Sequence, residues 1–486
     1  MNELMAATDA RWRSLVFPAN HRNPRPSGRY NLVVIGAGPA GLITSIAAAG
    51  LGAKVALIER QAMGGDCLNV GCVPSKALLA AASQGHDFDA ALQHAHAVRT
   101  RIAEHDSVER YTKAGVDVYL GSAQFIDAHR VRVGEQELTA RKTVICTGAR
   151  AAVPPIPGLE AAGILTNETV FDLPVLPARL AVLGGGPIGC ELAQAFARLG
   201  SEVHLIEMQP RVLPLEDDDA AAMVAEALRR DGVRLHLGVR VTGASADGAV
   251  KRLQFDAGDS LDCDAVLVAV GRQRNVEGLG LEAAGVRFDP RAGVEVDARL
   301  RTSQHDIFAA GDVCSRLQFT HHADAQARIV IRNALFMGRT RADRLVVPWC
   351  TYTKPEVAHV GASRRELEQA GTPFDAYRTH FAELDRGRTD ALSQAEADQD
   401  GYAEVLTEKG GDRLLGATIV GRDAGEQLSP LVLMMTAGLR LGALGSLVLP
   451  YPTRCEYLRR LADAWNRTRL TPRSARLLEW WLRRAR

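Results

Sequence analysis

The sequence predicts an α/β chain with two doubly wound dinucleotide-binding domains followed by a separate C-terminal α+β unit. Three observations carry that class. A GxGxxG stretch opens at Gly36 between an apolar strand and an alanine-rich helix. The same arrangement returns at Gly184, and from Val347 onward the texture changes to short mixed strands and helices. At 486 residues the chain suggests roughly three domains of about 150 residues each. A hydrophobic content of 47% is ample for several cores, and a net charge of +1 gives no support for bulk attraction to nucleic acid.

Residues 1–29, with Pro18, Pro24 and Pro26, read as an irregular surface leader without chemistry, anchored by Trp12 and Phe17. Asn31 to Ile35 is a strand running into Gly36, Gly38 and Gly41. A helix follows, closed by Gly50 and Gly52, and then strand Val55 to Ile58 ends in Glu59. A lone GxGxxG is weak evidence, but a flanking strand, helix and acid make a Rossmann-like fingerprint. The glycines admit a pyrophosphate to the helix N-terminus, and the acid takes ribose hydroxyls. The second copy has strand Leu180 to Leu183, glycines Gly184, Gly186 and Gly189, and strand Val203 to Ile206 ending in Glu207. From first glycine to acid is 23 residues in both, 36 to 59 and 184 to 207. Two fingerprints imply two dinucleotides, FAD and a nicotinamide cofactor. Glu207 repels a 2′-phosphate and favours NADH over NADPH, with Arg211 the residue that argues the other way.

Between the fingerprints lies Gly64 to Lys76, GGDCLNVGCVPSK, with four residues separating Cys67 from Cys72. That spacing keeps both sulfurs on one short element, suited to a disulfide that forms and reopens. Zinc sites bring a second ligand pair, and no partner cluster exists; no metal ligand set is expected. The other six of the 8 cysteines are scattered, unlike a secreted disulfide scaffold, so a reducing cytoplasm fits best. The N-terminus has no signal-peptide pattern. The apolar stretch Leu428 to Leu449 is broken by Arg440 and glycines and reads as a helix packed inside a domain or at a subunit interface rather than a membrane span.

Thr143 to Arg150 returns to the first nucleotide domain, and the proline-rich crossing at 152–157 marks a boundary. The expected division is 30–152 and 276–346 for the FAD domain, 153–275 for the NAD(P) domain, 347–470 for the α+β unit, and 471–486 as a basic C-terminal helix. Asp306 to Asp312 is another strand, placing Asp312 at the end of a sheet where ligands bind.

In the order GAGPAG, GGDCLNVGCVPSK, GGGPIG, VGRQRN, AAGD and YPTRCE, residues 30–466 resemble the class I pyridine nucleotide–disulfide oxidoreductases. That family includes dihydrolipoamide dehydrogenase, glutathione reductase and mercuric reductase. The resemblance implies a homodimer whose active sites are completed by the partner's C-terminal domain. It also implies that NAD(P)H reduces FAD and the flavin reduces the disulfide. Cys72 would be the flavin-side thiolate and Cys67 the interchange thiol. Lys76 would lie near the flavin and pair with Glu191. Further cofactor contacts are expected at Gly65, Thr147, Gly148, Gly271, Gly311, Asp312, His322 and Ala323.

The departure is Tyr451. Family members that reduce substrate disulfides carry a histidine there; here Tyr451 precedes Pro452, Thr453 and Glu456. Histidine shuttles protons near neutral pH, whereas tyrosine titrates near about 10. Efficient lipoamide or glutathione turnover is therefore disfavoured. Mercuric reductases accept a tyrosine at this point, and the stretches FTHHADAQA and WCTYTKPE also resemble theirs. Against that, the terminal cysteine pair of mercuric reductases is missing, and Cys455, on Tyr451's face if the segment is helical, reads as a packing residue. His321 and His322 read as pocket or interface residues rather than metal ligands, and the histidines at 86, 94, 96 and 105 as solvated. Reduction of a soft metal ion or small oxidant is the leading function. Dihydrolipoamide dehydrogenase and a simple NADH oxidase or diaphorase are the enzymatic alternatives. A membrane-recruited adaptor is the third, resting on Arg473, Arg476, Arg483, Arg484 and Arg486 beside Trp480 and Trp481.

Overall fold

The computed structural model describes residues 3–393 and 401–486. The leader's first two residues and positions 394–400 of the expected dimerisation domain lie outside it. The chain divides into two compact units: residues 1–210 with 231–345, and residues 211–230 with 346–486.

In the first unit, strands β1 (Arg29–Ile35), β2 (Val55–Glu59) and β3 (Val116–Leu120) form a parallel sheet flanked by the hairpin strands β4 (Ala123–Phe125), β5 (Arg130–Val133) and β6 (Gln136–Ile145). The order is β3-β2-β1-β6-β5-β4. β1 is buried from Leu32 to Ile35 because both sheet faces are covered there, so that stretch reads as a continuous apolar run. Helix α1 (Glu3–Val16) precedes this sheet. Helices α2 (Pro39–Gly50), α3 (Gly65–Asn69), α4 (Cys72–Ser83), α5 (Phe88–Ala103) and α6 (Val108–Lys113) follow β1 or β2.

Short strand β7 (Ala149–Ala151) leads out to a second parallel sheet. It comprises β8 (Arg179–Leu183), β9 (Glu202–Glu207) and β10 (Arg234–Leu237), flanked by the antiparallel sheet β11 (Val241–Asp247), β12 (Val250–Phe255) and β13 (Ser260–Cys263). Strand β14 (Ala265–Val268) completes the order β10-β9-β8-β14. Helix α7 (Pro187–Arg198) follows β8. The chain returns through β15 (Arg272–Arg274), which pairs antiparallel with β7, Arg272 opposite Ala151. After the ribbon β16 (Phe288–Asp289) and β17 (Gly293–Val294), strand β18 (Ile307–Ala309) rejoins β6 in parallel, and α9 (Thr320–Leu335), numbered after a helix of the second unit, closes the unit.

The intervening helix α8 (Asp218–Arg230), expected inside the second nucleotide domain, groups with the second unit. The tie is polar: Asp219 meets Arg378 at 2.5 Å and the Tyr402 hydroxyl at 2.9 Å. The rest of that unit is a five-stranded antiparallel sheet, with the core of its apolar face made by residues such as Val405, Ile419, Leu431, Tyr457 and Leu461. Short helices α10 (Arg364–Gln369), α11 (Asp385–Asp390), α12 (Ala424–Gln427) and α13 (Ser429–Ala437) connect its strands. Helix α14 (Tyr457–Thr468) packs its apolar stripe on the core, and α15 (Pro472–Arg484), capped by Thr471, ends the chain with no buried residue. No described helix is long and apolar enough to cross a membrane.

One expectation needs correction. The leader is not irregular: residues Glu3–Val16 form a 14-residue helix, with Val16 fully buried in the first unit's core. The three prolines all lie after it and leave its hydrogen-bond ladder intact.

Gly41 and Gly50, both in α2, offer a paired test. A Cβ on Gly41 would stand 1.8 Å from the Gly36 carbonyl oxygen, whereas one on Gly50 meets nothing within 4 Å. Gly41→Ala should abolish flavin retention and lower the melting temperature, while Gly50→Ala should stay within about 1 kcal/mol of the parent.

Candidate active site

The two nucleotide loops are built alike. Gly36 sits at φ +101° with no room for a side chain against the Cys146 carbonyl, and Gly184 repeats this at φ +110° against Ala269. Gly189, like Gly41, packs on the first glycine of its loop, here Gly184. The middle glycines differ: in front of Gly186 there is open space, and at Gly38 a Cβ would meet only Gly65, at 3.8 Å. Both face helix N-termini, where free N–H groups favour an anion. The acids brace the turns. Glu59 accepts from the amides of Ala37 and Gln61, both at 2.7 Å, and Glu207 accepts from Gly185 at 2.6 Å and Gln209 at 2.8 Å. Burial pushes the Glu59 carboxyl above its usual range in spite of these amides. Two open glycine cradles, each with a helix terminus and an acid, fit two dinucleotides.

The cysteine segment rests directly on the first loop. Gly64 and Gly65 are both left-handed, at φ +95° and +59°; a Cβ on Gly65 would lie 2.5 Å from Gly38 Cα, and Gly64 donates to the Ala37 carbonyl at 2.9 Å. The sulfurs occupy two elements rather than one: Cys67 is in α3, Val70 and Gly71 break the helix, and Cys72 opens α4. Both are free thiols. A hydrogen bond from Cys67, the nearby Lys76 charge and the Thr320 hydroxyl hold the Cys72 thiol well below the ordinary range, against the effect of burial. Its place at a helix N-terminus acts in the same direction. The same hydrogen bond and burial push Cys67 up, so the negative charge of the pair is favoured on Cys72. Cys72 Sγ lies 3.7 Å from Thr320 Oγ1, at the start of α9. Lys76 Nζ meets Glu191 Oε2 at 2.7 Å; Glu191, on α7, is only 3% exposed.

Residues the sequence reading did not single out complete this half. Arg272, in the VGRQRN stretch, donates to Asp66 beside Cys67, to the Ala149 carbonyl at 2.7 Å, and lies 3.4 Å from Asp312. Burial raises the Asp312 carboxyl, with Arg272 opposing. Thr320 was legible only as part of FTHHADAQA. Among the expected contacts, Thr147 Oγ1 donates to the Asn275 carbonyl at 2.7 Å, and Gly148 and Gly271 adopt φ +67° and +133°. Gly311 donates to Gln326 at 2.7 Å, and Gln326 reaches buried His322 at 3.2 Å, beside buried Ala323. His96 corrects the view that the helical histidines are solvated: it is 1% exposed, with Nδ1 2.9 Å from Asp9.

In the second unit Tyr451 is 74% exposed and donates to Asp385 at 2.7 Å. That carboxylate pushes its hydroxyl above the ordinary tyrosine range. Glu456 accepts from Arg460 at 3.0 Å. The segment before Arg454 is not helical and Arg454–Glu456 is a single tight turn, so Cys455 does not share a helix face with Tyr451; it packs against the unit's core.

The pyridine nucleotide-disulphide oxidoreductase family model matches residues 30–327, and that family's dimerisation domain matches residues 347–462. The chain is a pyridine nucleotide-disulphide oxidoreductase. Its family uses FAD and NAD(P)H, and the second match supports a homodimer. Its relatives divide by name. It is 35% identical to a dihydrolipoyl dehydrogenase of Thermus scotoductus, over 90% of this chain and 98% of that one. It is 32% identical to a mercuric reductase of Staphylococcus aureus, over 90% and 83% respectively. A solved Cu(II) complex of the HOCl-induced flavoprotein disulfide reductase RclA from Escherichia coli superposes with a TM-score of 0.82 at 33% identity, covering 89% of this oxidoreductase and 99% of that chain.

Thiolate absorbance of the reduced oxidoreductase should fall on acidification with a midpoint clearly below the ordinary cysteine value of about 8.5. In Lys76→Met the midpoint should move up, since the favourable charge is gone while burial stays. An unchanged midpoint would show that Lys76 does not set the thiolate.

Proposed function

We propose that this oxidoreductase takes electrons from NADH and reduces a soft metal ion, of which Hg(II) and Cu(II) are the test cases, through the Cys67–Cys72 pair. The observation that carries this reading is Tyr451, exposed, tied to Asp385 and held protonated, where disulfide-reducing members have histidine. When bound, FAD supplies the relay of an electron pair between the nicotinamide and the cysteines. The loop of Gly36, Gly38 and Gly41, with Glu59, would hold it, and the loop of Gly184, Gly186 and Gly189, with Glu207, would hold the nicotinamide cofactor.

The residues then divide the work. Cys72 stays ionised under Lys76, and the buried Glu191 carboxylate keeps Lys76 in place. Cys67 is the thiol that meets the oxidant. As the thiolate–thiol pair closes to the disulfide it gives up two electrons and the one proton of Cys67; one Hg(II) or two Cu(II) accept the electrons, and the proton goes to water. A disulfide substrate behaves differently: its departing thiolate must be protonated within the site, and Tyr451 performs that poorly at neutral pH. The preference for NADH rests on Glu207 and on Arg211, whose guanidinium is engaged by the carbonyls of Pro214 and Glu216, both at 3.1 Å. A reducing cytoplasm would keep the six other thiols free.

Anaerobic titration with NADH should give the long-wavelength absorbance of a thiolate beside oxidised flavin in the parent and not in Cys72→Ser. Metal-ion turnover should collapse in Cys67→Ser; full retention there would point instead to a simple NADH oxidase or diaphorase. Tyr451→His should raise lipoamide or glutathione disulfide turnover by roughly 10²-fold, in the range of one general acid–base group, and leave metal-ion turnover nearly unchanged. Truncation after Arg469 removes α15, whose Trp480 and Trp481 are exposed. Intact activity with lost liposome binding would favour membrane recruitment, and loss of the dimer would place the helix at the subunit contact.

A further inference from the structure

Helix α1 lies outside the family match, which begins at residue 30. It nevertheless reaches Asn69, between the two cysteines, and Met63, just before the Gly64–Gly65 turn. Trp12 Nε1 donates to Asn69 Oδ1 at 2.9 Å, and Asn69 is the last residue of α3, two positions after Cys67. The Asn69 amide in turn donates to the carbonyls of Met63 at 3.0 Å and Gly65 at 2.9 Å, spanning the left-handed Gly64–Gly65 turn. At its C-terminal end α1 presents the Val16 carbonyl to the Met63 amide at 3.0 Å.

The other end is held by charge. Arg99 on α5 is almost fully buried, with its guanidinium 4.2 Å over the Trp12 ring and Nη1 donating to the Asn69 carbonyl at 3.4 Å. Asp9 of α1 receives Arg99 Nη2 at 2.7 Å and lies 2.9 Å from His96, while Asp172 stands farther off, 3.6 Å from His96. Burial disfavours the Asp9 charge, but His96 and Arg99 outweigh it and keep the carboxyl below its usual range. A buried arginine without Asp9 would be costly, so α1 and α5 are fixed to each other. Through Trp12 and Arg99 they hold the side chain and the carbonyl of one residue, Asn69, from which the chain proceeds through Val70 and Gly71 to Cys72.

We propose that α1 is a positioning element for the cysteine pair: by bracing Asn69 through Trp12, it sets the equilibrium between the dithiol and disulfide forms. The proposal rests on the redox role of Cys67 and Cys72 given above. Neither Trp12 nor Asp9 touches the sulfurs; both act through Asn69.

The test uses the full-length flavin-loaded protein equilibrated in dithiothreitol redox buffers, with the Cys67–Cys72 state read by thiol trapping. Trp12→Phe keeps a ring under Arg99 and removes the N–H, and Asp9→Asn loosens the Arg99 anchor. Each should move the dithiol–disulfide equilibrium constant by roughly three- to tenfold, the size of one hydrogen bond, in the same direction. Melting temperature is measured alongside. Both constants unchanged, with or without a lower melting temperature, overturns the proposal and leaves α1 as packing alone. A parent protein in which the two thiols never form a disulfide overturns the redox reading and this proposal together, so the two failures are distinguishable.

Discussion

The contact on which the first unit's chemistry depends is backbone against backbone, where Gly65 meets Gly38. No side chain fits between the nucleotide loop and the start of the cysteine segment, so the two share one surface. A dinucleotide held in front of the α2 N-terminus and a thiol pair a few residues downstream are therefore positioned by the same three or four peptide groups. The Glu59 carboxylate stiffens that surface from beneath by taking two loop amides. Pre-organisation of this kind limits the reorganisation needed when charge moves within the site.

Electrostatics then separates two chemically identical thiols. Cys72 has a helix N-terminus, Lys76 and Thr320 on its side; Cys67 has chiefly Cys72. A buried carboxylate, Glu191, keeps the lysine oriented. Arg272 bridges Asp66, beside Cys67, and Asp312, so one cation serves two acids. The oxidoreductase family supplies this frame, and Tyr451, exposed and bound to Asp385, lies in the second unit.

Most of the frame was legible in the sequence because it is local. The two glycine fingerprints specify strand, turn, helix and acid within 23 residues, and every strand read from them is present. The Lys76–Glu191 ion pair came from the family resemblance, since no local pattern links positions so far apart. What was missed is long-range or depends on a partner. His96 looks solvated among polar neighbours, yet its acid, Asp9, comes from a separate helix well before it in the sequence. That helix was itself hidden by the prolines that follow it. The face shared by Tyr451 and Cys455 failed for the opposite reason: the spacing suited a helix, but Pro452 and the carboxylates of Asp385 and Asp390, which receive Tyr451 and Arg454, hold the segment in another shape. Arg272 was visible as a letter in VGRQRN, but nothing in the spacing showed that it serves Asp66.

The β7–β15 ribbon has a consequence for how such a chain is assembled. Its two strands are the outgoing and returning crossings of the segment with the second fingerprint, and they pair with each other. The two covalent crossings of the insertion thus lie side by side, its ends already closed as if it were a separate small protein. Closing a long loop costs little more than closing a moderate one, so an insertion of this size adds modestly to the entropy of forming the host sheet. The host sheet can accept its last strand, β18, after the insertion has folded, or before. The nicotinamide module can therefore be retuned without re-registering the host sheet, as long as Glu191 still meets Lys76.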